Sequence, residues 1–387
     1  MKALKRLIPF ATYCMLIAIM VNACFFVPDE PNPEPDEGDV WEKAADAVAG
    51  MKTGWNLGNT LDSYGDWIVQ WGDGSTASFE TAWGQPVTTP ELMKAFAAAG
   101  FGAVRVPVTW RQHFNESDFA VDKAWMDRVE AVVGYVLDAG MYCIINLHHD
   151  TGTDGWLMAD TSTYETSKIK FQALWKQIAE RFEPYGEKLL FEGFNEILSA
   201  TDNWTGPASS ASYAIVNKLN QDVVSTVRST GGNNAKRNLV CNTYGAGCSA
   251  RELDPFVLPD DSAEGHLIAQ VHSYAPYPFA FDVSADTWWG PYDKKVFDKA
   301  CEDAIREIIE GLDSHFVQKG IPCIIGEYGA ADKNNTPERA KHAAFYVSTA
   351  RQYGITCFHW MGLMDGEDRS TLTWTDPEIR DAVIGSL

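Results

Sequence analysis

Positive charge is scarce in this sequence of 387 residues, which has 31 lysines and arginines against 53 aspartates and glutamates. So acidic a chain is poorly suited to bind nucleic acid or an anionic membrane surface. None of its eight cysteines stands in the CxxC spacing of metal or redox sites. No glycine-rich phosphate-binding loop follows the first predicted strand, and no internal repeat is present. These absences argue against nucleic-acid binding, dinucleotide binding and cysteine-based redox chemistry.

The N-terminal residues have the pattern of a targeting segment. Residues 1–23 place three basic residues before an apolar run at residues 7–21, which is too short for a comfortable membrane span. The sequence VNAC at residues 21–24 resembles a bacterial lipobox, in which Cys24 becomes the lipidated N-terminus of the mature protein. Asn22 is not the small residue usual there, so plain signal cleavage and an unmodified Cys24 remain alternatives. We therefore expect an outer-membrane or cell-surface lipoprotein, or otherwise a secreted protein.

The segment that follows predicts a tether. Residues 24–40 alternate proline with acidic residues, a composition that cannot bury a core and stays extended in solvent. Removal of the signal leaves 28 basic and 53 acidic residues, a net charge of −25. This balance favours a neutral substrate. We expect residues 41–387 to form one monomeric domain that meets the membrane only through a lipid on Cys24.

The remaining cysteines fit a structural use. Four lie in apolar, strand-like runs, where free thiols pack as small core residues: Cys143, Cys241, Cys323 and Cys357. Cys248 and Cys301 could form a disulfide, which spacing alone cannot decide.

From residue 53 onward, short apolar runs alternate with longer amphipathic stretches. Eight strands are predicted at residues 53–57, 102–108, 142–148, 189–195, 238–243, 267–272, 323–327 and 356–360. The clearest helices are predicted at 90–99, 123–139, 167–181, 212–229, 299–317 and 338–353. Continuous apolar strands are typical of a parallel sheet buried on both faces. Eight such units in one domain predict an α/β fold, a (β/α)8 TIM barrel, with a doubly wound sheet as the alternative.

Chemistry in such barrels is carried by the C-terminal ends of the strands. Almost every predicted strand ends in residues that could contact a ligand: Asn56 and Asn59, Arg105, His148 to Asp150, Asn195 and Glu196, His272 and Tyr274, Glu327, and Trp360. A carboxylate where a buried strand meets solvent is costly for folding and useful in acid–base or nucleophilic chemistry. Glu196 and Glu327 could converge over the barrel mouth as the carboxylate pair of a glycosidase.

Other interpretations of these residues remain open. Glu192 is a second acid near the end of the fourth strand, and alternation puts Asn195 and Glu196 on different faces of a strand. Strand geometry alone therefore does not assign the acid. The sequence His148-His149-Asp150 could instead bind a metal, and Arg105 could serve only as a structural ion-pair partner.

Several motifs together resemble glycoside hydrolase family 5, chiefly its cellulase and xyloglucanase-type endoglucanases. They are GWNLGNTLD at residues 54–62, ETAWG at 80–84, VRVP at 104–107, NLHHD at 146–150, FEGFNE at 191–196, TGGNNAKR at 230–237, HSY at 272–274 and IGEYG at 325–329. The resemblance implies a retaining double displacement without cofactor or metal. It makes Glu196 the acid/base and Glu327 the nucleophile. In the family a proline usually follows the acid/base, whereas this chain has Ile197, which puts the loop geometry in doubt.

The resemblance also implies roles around the two glutamates. Arg105 would keep Glu327 ionised, Tyr274 would bond to the same carboxylate, and His272 would orient the acid. Asn195 would donate to the 2-hydroxyl of the reacting sugar.

Further residues would bind the substrate. The resemblance implies that His148 binds hydroxyls of the reacting sugar and that Trp360 forms a platform beneath the ring of that sugar. His149 is counted among the substrate-binding residues, and Asn59 and Asp62 are candidates for hydroxyls on the glycone side.

Long aromatic loops follow several strands, and an extended cleft is one explanation for them. The loop at residues 62–83 contains Tyr64, Trp67 and Trp71, and the loop at 275–292 contains six aromatic residues. Indole faces pack against the apolar face of a pyranose, although many of these rings are expected to be ordinary packing residues. We expect an endo-β-1,4-glucanase acting on cellulose, mixed-linkage glucan or xyloglucan. The alternatives are a β-mannanase of the same fold and a non-catalytic glycan-binding lipoprotein.

The targeting hypothesis predicts a lipid on Cys24. Mass spectrometry of the native protein is expected to find a mature chain that begins at Cys24 and carries two or three acyl groups. A lipid-free chain that begins at another residue would refute the anchor.

Overall fold

The computed structural model describes residues 41–152, 155–201, 204, 208–284 and 290–387. The predicted signal segment, the tether and Cys24 lie outside the described residues, as do Trp288 and Trp289. Within the described part of the chain, no helix is both long enough and apolar enough to cross a membrane.

Eight parallel strands close into a barrel in sequence order, and β1 pairs with β8. They are β1 Gly54–Asn56, β2 Ala103–Val106, β3 Tyr142–Asn146, β4 Leu189–Glu192, β5 Leu239–Asn242, β6 Leu267–His272, β7 Cys323–Tyr328 and β8 Thr356–Trp360. All eight predicted strands are present, β6 and β8 with the predicted bounds. The TIM-barrel prediction is confirmed.

The helices surround this barrel and lie in the loops above it. The described residues contain α1 Ala44–Met51, α2 Asp66–Trp71, α3 Thr76–Thr81, α4 Pro90–Ala99, α5 Lys123–Asp138, α6 Tyr164–Phe182, α7 Ser210–Ser229, α8 Ala250–Leu253, α9 Tyr277–Ala280, α10 Lys299–His315, α11 Thr336–Gln352, α12 Glu367–Thr371 and α13 Pro377–Ile384. The six predicted helices correspond to α4, α5, α6, α7, α10 and α11. Helix α4 has the predicted bounds because Thr89 caps Leu92 N, Pro90 begins the helix, and Gly100 ends it at φ 112°.

The barrel interior is divided into two layers by the alternation of strand side chains. The lower layer is apolar, and α1 packs beneath it as a plug. Its buried residues are Ala44, Ala47, Val48, Met51, Ala103, Tyr142, Ile144, Leu190, Val240, Ile268, Ile324 and Phe358. A residue two positions further along a strand points to the same side. The next inward residues are therefore polar: Asn56, Arg105, Asn146, Glu192, Asn242 and Gln270. This polar layer is the floor of the barrel mouth.

Strand β7 departs from simple alternation at Gly326. Val271 of β6 pairs with Ile325 and the next residue, His272, pairs with Glu327, so β7 has one extra residue there. Such a bulge changes the direction of the side chains that follow it. Because Ile324 faces the interior, alternation would turn Glu327 outward; the bulge directs it to the mouth instead. A glycine fits here because a Cβ would lie 2.5 Å from the side chain of Gln270.

The cysteines are all free in the described residues, so the disulfide considered between Cys248 and Cys301 is not present. Cys301 is buried on α10, where its Sγ lies 3.9 Å from the carbonyl oxygen of Val296. Cys248 lies beside Ser273, with which its thiol forms a hydrogen bond. Each thiol thus has its own local partner.

Arg237 is fully buried and holds the segment between α6 and β4 in place. Its guanidinium donates to Asn234 Oδ1 at 2.8 Å and to backbone carbonyls around the end of α6 and the start of β4, those of Phe182, Glu183, Tyr185, Gly186 and Leu189. Two of these carbonyls, those of Phe182 and Gly186, also accept a backbone N–H, so the arginine is a second donor to them. Burial lowers the pKa of Arg237 to about 9, so it remains charged at neutral pH.

Replacement of this arginine is expected to destabilise the barrel. Arg237→Met removes six hydrogen bonds from the guanidinium and should lower the free energy of unfolding by about 3–5 kcal/mol. Urea unfolding followed by tryptophan fluorescence measures the change. Lys94→Met, at an exposed position of α4, is the matched control and should change stability by less than about 0.5 kcal/mol. Equal unfolding midpoints for Arg237→Met and the unmodified protein would contradict the proposed anchoring.

Candidate active site

Glu196 and Glu327 meet over the barrel mouth on either side of His272. A carboxylate oxygen of each glutamate and a ring nitrogen of His272 all lie within 4.8 Å of one another. His272 Nδ1 is 2.7 Å from Glu196 Oε1 and 3.6 Å from Glu327 Oε2. Carboxyl groups about 5–5.5 Å apart are typical of retaining glycosidases, because one can attack while the other transfers a proton. The pair has the spacing for this chemistry.

Arg105 joins the nucleophile candidate to the polar layer. Its Nε and Nη2 donate to the two oxygens of Glu192 at 2.6 and 2.8 Å, and its Nη1 donates to Glu327 Oε1 at 2.7 Å. The guanidinium also donates to Asn56 Oδ1 at 3.0 Å and to Asn195 Oδ1 at 2.8 Å. Arg105 and Glu192 are fully buried. Arg105 therefore forms both the structural ion pair and the contact with Glu327 that were considered for it, because it bonds to Glu192 and to Glu327.

Both carboxylate oxygens of Glu192 accept hydrogen bonds, which argues against the acid role considered for this residue. Besides Arg105, it accepts hydrogen bonds at 3.1 Å from the amides of Asn146 and Asn242. These contacts stabilise its ionised form, and its pKa is lowered against the opposing effect of burial. A fully buried carboxylate held in this state is not suited to deliver protons.

Strand β4 ends at Glu192, three residues earlier than predicted. Asn195 and Glu196 therefore belong to the loop and not to a strand, so alternation does not send them to opposite faces. The Oδ1 of Asn195 accepts from Arg105, which turns its Nδ2 donor away from the guanidinium. Glu196 keeps 24% of its side chain exposed to the cleft. Ile197, where the family usually has proline, is fully buried.

The two glutamates have different electrostatic surroundings. Burial raises the pKa of Glu196 to about 7, and His272 bonds to its carboxylate directly. Burial also raises the pKa of Glu327, and the Arg105 guanidinium only partly offsets that rise. Tyr274 donates its hydroxyl proton to Glu327 Oε2 at 2.9 Å, a further contact to the charged form. Glu196 is thus the carboxyl suited to hold a proton at neutral pH.

His272 is neutral in this environment. Burial lowers the pKa of His272 to about 4. The loop after β6, which carries Tyr274, is fixed from α11: Tyr346 bonds to Ser273 at 2.9 Å and to Ala275 N at 3.0 Å, and His342 bonds to the Ala275 carbonyl at 3.0 Å. Sequence analysis missed these two residues of α11, since nothing in a regular helical pattern marks a side chain that supports a distant loop.

The predicted sugar-binding residues line one side of the mouth. The rings of His148 and Trp360 are nearly parallel, at 7°, with centroids 5.8 Å apart. Gly58 allows this approach, because a Cβ there would lie 2.9 Å from the Trp360 ring. His149 is partly exposed and its ring is 5.2 Å from that of Tyr64. These positions are compatible with the predicted contacts to sugar.

Asp62 requires a correction. It is fully buried, and its two oxygens accept the backbone N–H groups of Asn59 at 3.0 Å and Thr60 at 2.6 Å. Asn59 has a positive φ of 57°, which this turn stabilises. Asp62 therefore shapes the loop after β1, and its burial does not support the hydroxyl contact predicted for it. Asn59 remains partly exposed at the turn.

The possible metal ligands already have other partners. Asp150 accepts hydrogen bonds at 2.8 Å from Trp110 N and Trp156 Nε1, so it does not complete a His-His-Asp site. Asp62 lies nearer to His148 and His149. The amide of Asn146 donates to His148 Nδ1 at 3.1 Å, which leaves the proton on Nε2. Asp62, His148 and His149 each bring one possible ligand atom within 4.8 Å of the others, so the metal alternative stays a prediction at these three residues and not at His-His-Asp.

Open cavities lie near the glutamate pair. One, of about 270 Å³, is lined by Glu196 and His272 together with Trp204 and Tyr244. Another, of about 240 Å³, lies between Tyr274 and Trp360 and is lined by neither glutamate. Hollows of about 560 and 340 Å³ lie elsewhere and contain neither glutamate. The site is therefore an open cleft and not a closed pocket.

A carboxylate pair at the mouth of a (β/α)8 barrel, with one member raised in pKa and the other bonded to arginine and tyrosine, defines a glycoside hydrolase. Residues 61–363 match the family model described as Cellulase (glycosyl hydrolase family 5). The chain belongs to glycosyl hydrolase family 5.

Several relatives agree with this assignment. The chain is 38% identical over 353 residues to Cellulase/esterase CelE of Acetivibrio thermocellus, covering 88% of this chain but only 40% of that protein. It is 36% identical to Endoglucanase A of Ruminococcus albus, covering 88% of this chain and 92% of the relative. The solved structure of PbGH5A from Prevotella bryantii is 40% identical, with a TM-score of 0.81 over 90% of this chain and 99% of that one.

The pKa of Glu196 predicts the pH dependence of the reaction. An acid that must be protonated loses function as pH rises through its pKa, so kcat/KM should fall above about pH 7. A nucleophile that must be ionised gives the opposite, acidic limb. Glu196→Gln should remove the alkaline limb, measured as kcat/KM against pH with an aryl glycoside whose leaving group is good enough for hydrolysis by the variant to stay measurable. Glu91→Gln, at an exposed position of α4, should keep both limbs. An alkaline limb unchanged in Glu196→Gln would contradict the assignment.

Proposed function

We propose that this protein is a retaining endo-β-1,4-glucanase that hydrolyses internal bonds of neutral β-glucans. Glu327 attacks the anomeric carbon as its bond to the leaving oxygen breaks, and Glu196 gives that oxygen a proton. Water then attacks the glycosyl–Glu327 ester, gives its proton to Glu196, and restores both carboxyl groups. The observation that carries the proposal is the approach of the two carboxylates to within 4.8 Å in unlike surroundings.

The neighbouring contacts support distinct roles in these steps. Arg105, at 2.7 Å, and Tyr274, at 2.9 Å, favour the charged form of Glu327 before attack and as it leaves in the second step. His272, at 2.7 Å from Glu196, orients the acid. Asn195, turned by Arg105, is positioned to donate to the sugar 2-hydroxyl, a contact that strengthens in the transition state.

The preferred polymer is proposed from the cleft and from relatives. The cavity beside Glu196 and the one between Tyr274 and Trp360 suit sugars along an extended cleft. One structure of PbGH5A contains a xyloglucan tetradecasaccharide, and a 36% identical broad specificity endoglucanase from Ruminococcus champanellensis contains cellotriose. Its chain is 98% covered by this one, with a TM-score of 0.81. We infer that cellulose, mixed-linkage glucan and xyloglucan are the substrate class here as well.

We also propose that the enzyme acts as a monomer at the outer membrane or cell surface, held by a lipid on Cys24. Both catalytic glutamates and the groups that hold them come from one chain, so the site needs no partner subunit. The acidic tether would place the domain within reach of extracellular polysaccharide.

Substitution of the two glutamates tests the mechanism. Glu327→Ala should abolish release of reducing ends from every polymer, since no covalent intermediate can form. Glu196→Ala should slow polymer hydrolysis by about 10²–10⁴-fold but spare aryl glycosides with good leaving groups. Reducing-end assays on carboxymethyl cellulose, xyloglucan, lichenan and mannan, together with an aryl cellobioside, measure both effects.

Glu91→Ala is the matched control and should retain full activity on each substrate. Near-normal hydrolysis of β-glucan by Glu327→Ala would refute the catalytic assignment. Activity of the unmodified protein confined to mannan would refute the glucanase proposal while leaving the mechanism intact, and binding without hydrolysis would indicate the non-catalytic glycan-binding alternative.

A further inference from the structure

Two tryptophans on α2 expose much of their side chains to solvent. Trp71 is 83% exposed and Trp67 is 41% exposed, whereas Ile68 of the same helix is buried and anchors it. The tryptophans are four residues apart and so share a face of the helix. Their ring centroids lie 6.5 Å apart at 43°. Indoles exposed to this degree are uncommon on a protein surface without a binding role.

These indoles are the outer end of a row of aromatic rings that begins in the active site. From Trp360 and His148 the row continues to His149, with centroids 4.6 Å apart, and then to Tyr64 at 5.2 Å. The next residue, Gly65, is covered by the Trp67 ring: a Cβ at Gly65 would lie 2.5 Å from Trp67 Nε1. The exposed pair therefore lies beside the outer end of this row.

The row lies on the side of the cleft away from the proton donor. Its members follow β1, β3 and β8, whereas the cavity that adjoins Glu196 is lined by residues that follow β4, β5 and β6, among them Leu198, Tyr244 and Tyr274. The acid protonates the leaving group, so that cavity receives the leaving part of the chain. The row correspondingly leads along the part of the substrate that becomes attached to Glu327.

The chemistry of this surface selects a neutral ligand. Its two large indole faces suit the apolar C–H faces of pyranose rings. Asp66 begins the helix and Asp73 follows it, both exposed, and the whole chain has a net charge of −22. Acidic polysaccharides would meet like charge here, while an uncharged glucan chain would not.

We propose that Trp67 and Trp71 form a distal glycone-side platform that binds a β-glucan chain several sugars away from the bond being cleaved. The platform rests on the proposed glucanase function and extends it. It gives the enzyme a preference for long chains, because a short oligosaccharide that fills the inner subsites does not reach α2.

Binding without turnover tests this proposal. In a Glu327→Gln background, isothermal titration calorimetry measures the affinity for cellobiose, cellohexaose and soluble lichenan, with and without Trp71→Ala. Trp71→Ala should weaken binding of cellohexaose and lichenan by about fivefold or more and leave cellobiose unchanged. Trp71→Phe, which keeps an aromatic face, should restore much of the affinity. Val257→Ala removes apolar surface at a 62% exposed position outside the row and is the matched control.

Each other outcome has a distinct meaning. Unchanged affinity of Trp71→Ala for cellohexaose and lichenan would overturn the platform while leaving the glucanase proposal intact. An equal loss for cellobiose would also overturn it, because the substitution would then act on the inner subsites. If the Glu327→Gln parent bound none of the three ligands, both the glucanase proposal and the platform would be refuted.

Discussion

Arg105 organises the active site by using all five of its N–H donors inside the barrel. It contacts Glu192 twice and Asn56, Asn195 and Glu327 once each. A buried cation is tolerated only when its charge and its donors are matched, and loss of one partner leaves the others uncompensated. The guanidinium is rigid and planar, so the groups that it bonds are fixed relative to one another. One side chain of β2 thereby ties β1, β4 and β7 into a single constellation.

The same arrangement explains why two glutamates in one cleft behave differently. Glu327 shares Arg105 with the structural Glu192, and Tyr274 adds a donor, so these contacts favour the charged form that the proposed nucleophile role requires. Glu196 lies in the loop beyond β4 without a direct contact to Arg105, and its bonded partner His272 is kept neutral by burial. Proximity to a second carboxylate adds to the cost of ionising it. The difference between the roles thus follows from which glutamate the guanidinium reaches.

Much of this architecture could be predicted from the sequence, because strand ends and apolar periodicity are local signals. The eight strands, six major helices and the two glutamates follow from them. What could not be predicted depends on tertiary detail. The bulge at Gly326 turns Glu327 inward against the alternation of β7, and the early end of β4 frees Glu196 from it. Asp62 was a candidate for binding a sugar hydroxyl, but each of its carboxylate oxygens accepts a backbone N–H of the turn, from Asn59 or Thr60.

The barrel separates the parts that set reactivity from the parts that set substrate length. The polar layer is fixed from below by an apolar layer and α1, and it is densely bonded, so a change there disturbs several strands at once. Helix α2 is different: it is six residues long and contributes one buried side chain, that of Ile68. Substitutions on its exposed face can alter contacts with distant sugars without moving Arg105 or either glutamate. Chain-length preference can therefore change in this fold while the geometry of bond cleavage stays the same.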